Sequence, residues 1–130
     1  MRTWKFFKPV KMGSSNALGS LMGWCPGWRL LSTAQPESGS VEFTEVGNDF
    51  LCAQMPVNDK THQSIGLLHG GASCVLAETV GSRAANYCVN YATHYCVGLE
   101  INANHIRSTK AGVVIAKAEP IHLGGKTQVW

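Results

Sequence analysis

The residues best suited to chemistry lie between Thr61 and Ser82. Glu78 stands inside an apolar run of helical composition, about two turns from its start. A carboxylate buried without a partner is costly, so in such a place it carries a role, pairs with a charge, or turns to solvent on a half-exposed helix. Just before the run comes His69-Gly70-Gly71. The first turn of a helix has N–H groups without intrahelical acceptors, its dipole favours negative charge, and glycine lets a ligand approach the backbone. These features suit a carbonyl oxygen that gains charge under attack. The plainer alternative is a Gly-Gly pair chosen for its turn, beside a structural histidine.

Spacing limits how these residues can cooperate. Gly70 and Glu78 are eight residues apart, which is about 12 Å along a helix axis, roughly three times the span of a glutamate side chain. One chain cannot bring both to a single carbonyl. Two such helices lying antiparallel across a twofold axis could, so if both residues act, the assembly is at least a dimer with composite sites.

The elements that must position them can be read on either side. Gly70 to about Val89 reads as the helix, interrupted only by the charges of Glu78 and Arg83; a helix apolar nearly all round is a buried one. Asn58 to Leu68 reads as loop. Upstream, Val41–Val46 and Phe50–Val57 are strand-like runs around the turn signal Gly47-Asn48-Asp49, which predicts a hairpin. Downstream, after a loop near Asn90 to His94, Val97, Leu99 and Ile101 alternate with Gly98, Glu100 and Asn102 in a strand from Cys96 to Asn104. Gly112–Ile121 reads as another strand, Leu123–Lys126 as a turn, and Thr127–Trp130 as the start of a last strand. One long helix followed by hairpin-like strands gives an α+β class, with an antiparallel sheet packed on the helix. Residues 1–40 show no clean period and are read as an N-terminal segment distinct from a domain over 41–130; Ser14, Ser15 and Asn16 could cap a short helix through Leu21.

Composition narrows the function classes. The chain's 130 residues suit one domain, and 45% hydrophobic against 15% charged residues is a globular balance. A net charge of +3, with Lys5, Lys8 and Lys11 scattered, does not make the clustered basic face of a nucleic-acid binder. No apolar run approaches the roughly 18 residues of a membrane span. The five cysteines are odd in number and lack a Cys-x-x-Cys pair, and the five histidines show no ligand spacing. No disulfide framework, metal or cofactor is expected, and free thiols fit a reducing, cytoplasmic location.

From Val41 to Trp130 the chain resembles the hotdog-fold acyl-CoA thioesterases, nearest to the 1,4-dihydroxy-2-naphthoyl-CoA hydrolases and the enterobactin-pathway proofreading thioesterase. The resemblance rests on Met55-Pro56-Val57, on Gln63, and on Gly66 through Ser73. It continues through Leu76-Ala77-Glu78 and Gly81-Ser82, Val97 through His105, His122-Leu123-Gly124, and Gln128-Val129-Trp130. It implies an antiparallel sheet wrapped around one long central helix, and hydrolysis of an acyl-CoA thioester, aromatic by the same resemblance. It makes Glu78 nucleophile or general base, with Gln63 and His69 orienting the thioester, Gly70 N–H as oxyanion donor, and Ser82 holding water or carboxylate. CoA contacts are implied at Gly98, at His105, Ile106, Arg107 and Ser108, and at His122, Leu123, Gly124, Gly125, Lys126 and Thr127. Arg107, Lys110 and Lys126 are cations suited to its phosphates, or else solvated strand ends. The implied partners are an acyl-CoA substrate, with an acyl carrier protein as the other carrier, and a homodimer or homotetramer.

The chain departs from that pattern at Ser64, where proline is usual, and at Arg83, where a small residue is usual; an arginine there needs a partner or an exit. It also stops at Trp130, where relatives of this family continue through the strand and one more. The sheet is therefore expected to lack its last strand, exposing an edge, unless residues 6–40 fold back to supply it. Two other readings stay open. One is an acyl-thioester hydratase or dehydratase of the same fold, although the His-x-x-Gly-x-Pro arrangement of that class is absent. The other is a non-catalytic acyl-CoA binder.

Overall fold

The computed structural model describes residues 2–11 and 40–130. Its elements run β1 (Arg2–Lys11), β2 (Glu42–Val46), β3 (Leu51–Val57), α1 (Gly70–Tyr87), β4 (His94–Asn104), β5 (Gly112–Ala118), β6 (His122–Leu123) and β7 (Gln128–Val129). The strands form two sheets, ordered β4-β1-β7-β6 and β2-β3-β5, with antiparallel pairing throughout. Helix α1 packs against β1, β3, β4 and β5, so both sheets close on it. This is the α+β architecture the sequence predicts, with its strands divided between two sheets.

The β2–β3 hairpin and β5 follow the predicted pattern. Strand β3 is the middle strand of its sheet, and Leu51, Cys52, Ala53, Met55 and Val57 are all buried. Pro56 is tolerated there because β2 pairs only as far as Gln54, so no β2 backbone faces the missing N–H. Predicted strand ends contract: β5 stops at Ala118 rather than Ile121, and the last strand is Gln128–Val129. The β6–β7 hairpin closes through Gly124 N–H donating to Thr127 O at 3.0 Å.

Helix α1 corrects the expectation of burial all round. Its buried residues are Leu76, Val80, Gly81, Ala84 and Ala85, a single face at helical spacing, whereas Val75 is 58% exposed and Tyr87 55%. Small residues at 81, 84 and 85 let the sheets approach closely on one side, and among the described residues the helix is buried on that side alone. Arg83 finds the partner its position demands: its guanidinium lies 5.2 Å from the centroid of the Phe43 ring, a cation–π contact on β2. No helix among the described residues is long and apolar enough to cross a membrane.

The stretch without a clean period also holds a strand. All of β1 runs antiparallel along β4, from Arg2 opposite Asn104 to Lys11 opposite His94. The register shifts between Phe6 and Phe7, so Leu99 of β4 is the extra residue of a bulge. Phe6 and Phe7 then meet Val129 and Gln128 of β7. Residues 2–11 thus fold back onto the sheet, and Phe7, fully buried, joins the core with Leu51, Met55, Leu76, Val80 and Trp130. The cap expected at Ser14–Asn16 and the helix through Leu21 lie outside the described residues, as does Cys25.

Because the Phe7 side chain enters the core, Phe7→Ala should lower unfolding stability by about 3–5 kcal/mol, the usual cost of emptying a buried aromatic site. Urea unfolding followed by circular dichroism measures it. A loss below about 1 kcal/mol, the scale of an ordinary surface substitution, would contradict the placement of β1.

Candidate active site

The N-terminus of α1 is built by the loop before it. Thr61 is buried; its hydroxyl lies within hydrogen-bonding distance of the Pro56 and Asn58 carbonyls (3.1 Å each) and accepts from Asn58 N–H at 3.0 Å. His69 N–H donates to Thr61 O at 2.8 Å, and Leu68 N–H to Thr109 O at 2.9 Å. Gly66, at φ 72°, takes the left-handed turn that closes Gly66 N–H onto Gln63 O at 2.9 Å. His62 Nε2 lies 2.9 Å from Lys110 O, tying this loop to the one after β4.

His69 is the N-cap of α1. Its Nδ1 accepts from Gly71 N–H at 2.8 Å, which places the ring proton of the neutral imidazole on Nε2. A β-carbon on residue 71 would lie 2.9 Å from that Nδ1, so the glycine is what lets the cap form. The first N–H of the helix, that of Gly70, has no intrahelical acceptor and opens into a cleft of about 330 Å³. Gln63, His105, Ile106, Arg107 and Ser108 line the same cleft, so the structure brings together six of the residues the sequence singled out. The His105 ring stands close over Gly70: a β-carbon on Gly70 would lie 3.1 Å from its Nε2. Ser73 and Thr109 also line the cleft and were not anticipated. Ser73, three residues past Gly70 on a helix, carried a spacing signal; Thr109 carried none.

Glu78 lies elsewhere. Ser82 Oγ donates to Glu78 Oε1 at 2.8 Å, one turn along the helix. Across the crease between α1 and β4, the carboxylate meets Gly98: a β-carbon there would stand 2.9 Å from Oε1 and 3.4 Å from Oε2. The predicted residues Glu78, Ser82 and Gly98 therefore form a second cluster, and none of the three lines the cleft at Gly70. The third predicted group, His122 to Thr127, sits on β6 and its turn at the far edge of the four-stranded sheet, also outside the cleft. There the His122 ring packs over Gly124.

A larger slot of mixed polar and apolar lining, about 470 Å³, adjoins the cleft between α1 and β5. Leu76, Val80, Val114, Ala116 and Trp130 line it, and it shares Leu68, Ser73, His105, Arg107 and Thr109 with the cleft. Lys117 at its side is tied to Glu119 at 2.7 Å, and that hydrogen bond pushes the ammonium pKa above its ordinary value. The Cys96 thiol donates to Ala85 O at 3.5 Å, and burial pushes its pKa up, which keeps it protonated and unreactive.

Comparison with known proteins identifies the family. The family model of the thioesterase superfamily matches residues 65–130. A 1,4-dihydroxy-2-naphthoyl-CoA hydrolase of Escherichia coli is 51% identical over 90 residues, covering 69% of this chain and 65% of that protein. A proofreading thioesterase of Cronobacter turicensis is 48% identical over 90 residues, with the same two coverages. Among solved structures, a thioesterase variant from Pseudomonas aeruginosa superposes with a TM-score of 0.66 at 33% identity, covering 92% of this chain and 93% of that one. The chain belongs to the thioesterase superfamily, with the hotdog fold. It spans 60% to 65% of the length of the curated relatives first matched.

The capping geometry makes a prediction about His69. His69→Ala should destabilise the fold by about 1 kcal/mol, the usual cost of losing a side-chain N-cap, whereas His69→Asn should restore most of it. Denaturation midpoints measure both. Equal stability of all three proteins would show that the cap contributes nothing.

Proposed function

We propose that this protein hydrolyses acyl-CoA thioesters to a free acid and CoA, at sites that each combine Glu78 of one chain with the Gly70 cleft of another. The observation that carries the reading is the held carboxylate: Glu78, on an otherwise weakly charged helix, is oriented by Ser82 at 2.8 Å against a glycine that leaves room beside it. Glu78 as general base takes a proton from water, and the resulting hydroxide attacks the thioester carbon. The negative oxygen of the tetrahedral intermediate accepts from Gly70 N–H, at the positive end of the α1 dipole. The C–S bond then breaks, the CoA thiolate takes the proton from Glu78, and the acid departs. Glu78 acting as nucleophile through an anhydride uses the same geometry.

The dimer follows from reach and from the sheet. Within one chain the helix separates Gly70 from Glu78 by about 12 Å. Strand β4 is the terminal strand of its sheet, eleven residues long, and exposes Val97, Leu99 and Ile101. Such an edge is a template for a second copy, which would set two α1 helices side by side. Gln63 and the Nε2–H of His69 then polarise the carbonyl. Arg107 and Lys110 meet CoA phosphates, with Gly98 and the turn from His122 to Thr127 completing the carrier site. The acyl group lies in the slot beside the cleft, against Leu76, Val80, Val114, Ala116 and Trp130. An aromatic acyl group is favoured by its size and by the naphthoyl substrate in the name of the Escherichia coli relative. Free buried thiols fit a cytoplasmic setting.

Glu78→Gln keeps the size of the side chain and removes the base. Turnover of benzoyl-CoA, followed by release of free thiol, should fall by at least about a hundredfold, with fold and assembly intact. Near-normal turnover would mean that the carboxylate is structural.

A further inference from the structure

The polar stripe of α1 that carries Glu78 and Ser82 continues one turn further to Asn86, and its side chain is fully engaged. Asn86 Oδ1 accepts from Cys96 N–H at 2.7 Å, while Nδ2 donates to Cys96 O at 3.2 Å and to Ser82 O at 2.8 Å. The amide thus pairs with both backbone groups of one β4 residue, as a neighbouring strand would, and anchors to the helix at the residue that orients Glu78. Cys96 and Gly98 are two apart on β4, so their Cα substituents point the same way. The Cys96 thiol reaches Ala85 O, and the bare Cα of Gly98 meets the Glu78 carboxylate. The distance between α1 and β4 at Gly98 is therefore set at Asn86, two residues upstream on the strand and two turns downstream on the helix. The opposite side of the strand is consistent: Pro9 of β1, which has no N–H to offer, stands opposite Cys96, whose backbone groups are already taken.

We infer that Asn86 is a positioning residue for the Glu78 carboxylate, acting by clamping β4 to α1 at Cys96. The inference rests on the reading of Glu78 as the reacting carboxylate. Without the clamp, β4 is free to draw away from the helix, the wall that Gly98 forms beside Glu78 recedes, and the carboxylate loses its fixed aim. A misplacement on the scale of 1 Å is enough to cost about a hundredfold in rate. Of the residues proposed to meet CoA, only Gly98 lies beside this clamp; the cleft at Gly70, Arg107, Lys110 and the turn from His122 to Thr127 are held elsewhere, so most of the binding should survive.

The test is steady-state turnover of benzoyl-CoA, per folded protein, for Asn86→Ala and Asn86→Asp. The aspartate is nearly isosteric and keeps the acceptor for Cys96 N–H, but sets an oxygen against two carbonyls; it serves if the alanine variant folds poorly. Ala84→Gly, on the buried face of the same helix, is the control for a general loss of stability. Both Asn86 variants should lose kcat by between about tenfold and a hundredfold with KM within twofold, while Ala84→Gly keeps kcat at a comparable or larger fall in melting temperature. If kcat for the Asn86 variants stays within twofold, or falls only as far as in the control, Asn86 is a structural staple and the inference is overturned. Glu78→Gln measured alongside separates the two claims. If it is inactive while the Asn86 variants are normal, only the positioning role fails. If it is active, the reading of Glu78 fails and takes the positioning role with it.

Discussion

The rigidity of α1 governs the rest of the molecule. Eight residues of helix hold Gly70 and Glu78 about 12 Å apart, and no side-chain rotation closes that gap. Each end is fixed to a different part of the fold. The Gly70 end is tied through Thr61, Leu68 and His62 to the loops before the helix and after β4. The Glu78 end is tied through Ser82 and Asn86 to β4 itself. The helix therefore behaves as a spacer between an N–H donor cleft and a carboxylate, each in its own surroundings. A reaction that needs both has to recruit a second spacer running the other way.

That constraint gives the strand arrangement its meaning. Strand β1 covers one side of β4, and Phe7 fills the core beneath it, while on the other side of β4 the Asn86 clamp takes the backbone of Cys96. The bulge at Leu99 falls just past Gly98, where the carboxylate presses on the strand. Bulges bend a strand and increase its twist, so the irregularity lies where β4 has to serve both the helix and its own neighbour.

Much of this was legible in the sequence, and the rest was hidden for identifiable reasons. The α1 run, the β2–β3 hairpin and the alternation in β4 announce themselves through apolar period, and Glu78 stands out as a charge on an apolar helix. The two-cluster geometry followed from counting residues between Gly70 and Glu78. Strand β1 was not legible, because Lys5, Lys8, Lys11 and Pro9 break any alternation; it forms because β4 offers ten residues of antiparallel partners and Pro9 falls where no N–H is required. The resemblance implies that His69 orients the thioester; its Nδ1 proves to be occupied in capping the helix, which a sequence does not display. Asn86 carries no signal in the sequence, since its partner at Cys96 is close only in the folded chain.

The proposed sharing of each site between two chains implies complementation. It is tested most directly by mixing two inactive proteins, one carrying Glu78→Gln and the other carrying Gln63→Ala, after subunit exchange has been verified by mass. A heterodimer of these two has one site with both defects and one with neither. If the sites are shared, activity recovers toward half of the wild-type value per heterodimer. Complete absence of recovery in verified heterodimers would contradict it, because it would mean that Glu78 and the Gly70 cleft of the same chain work together.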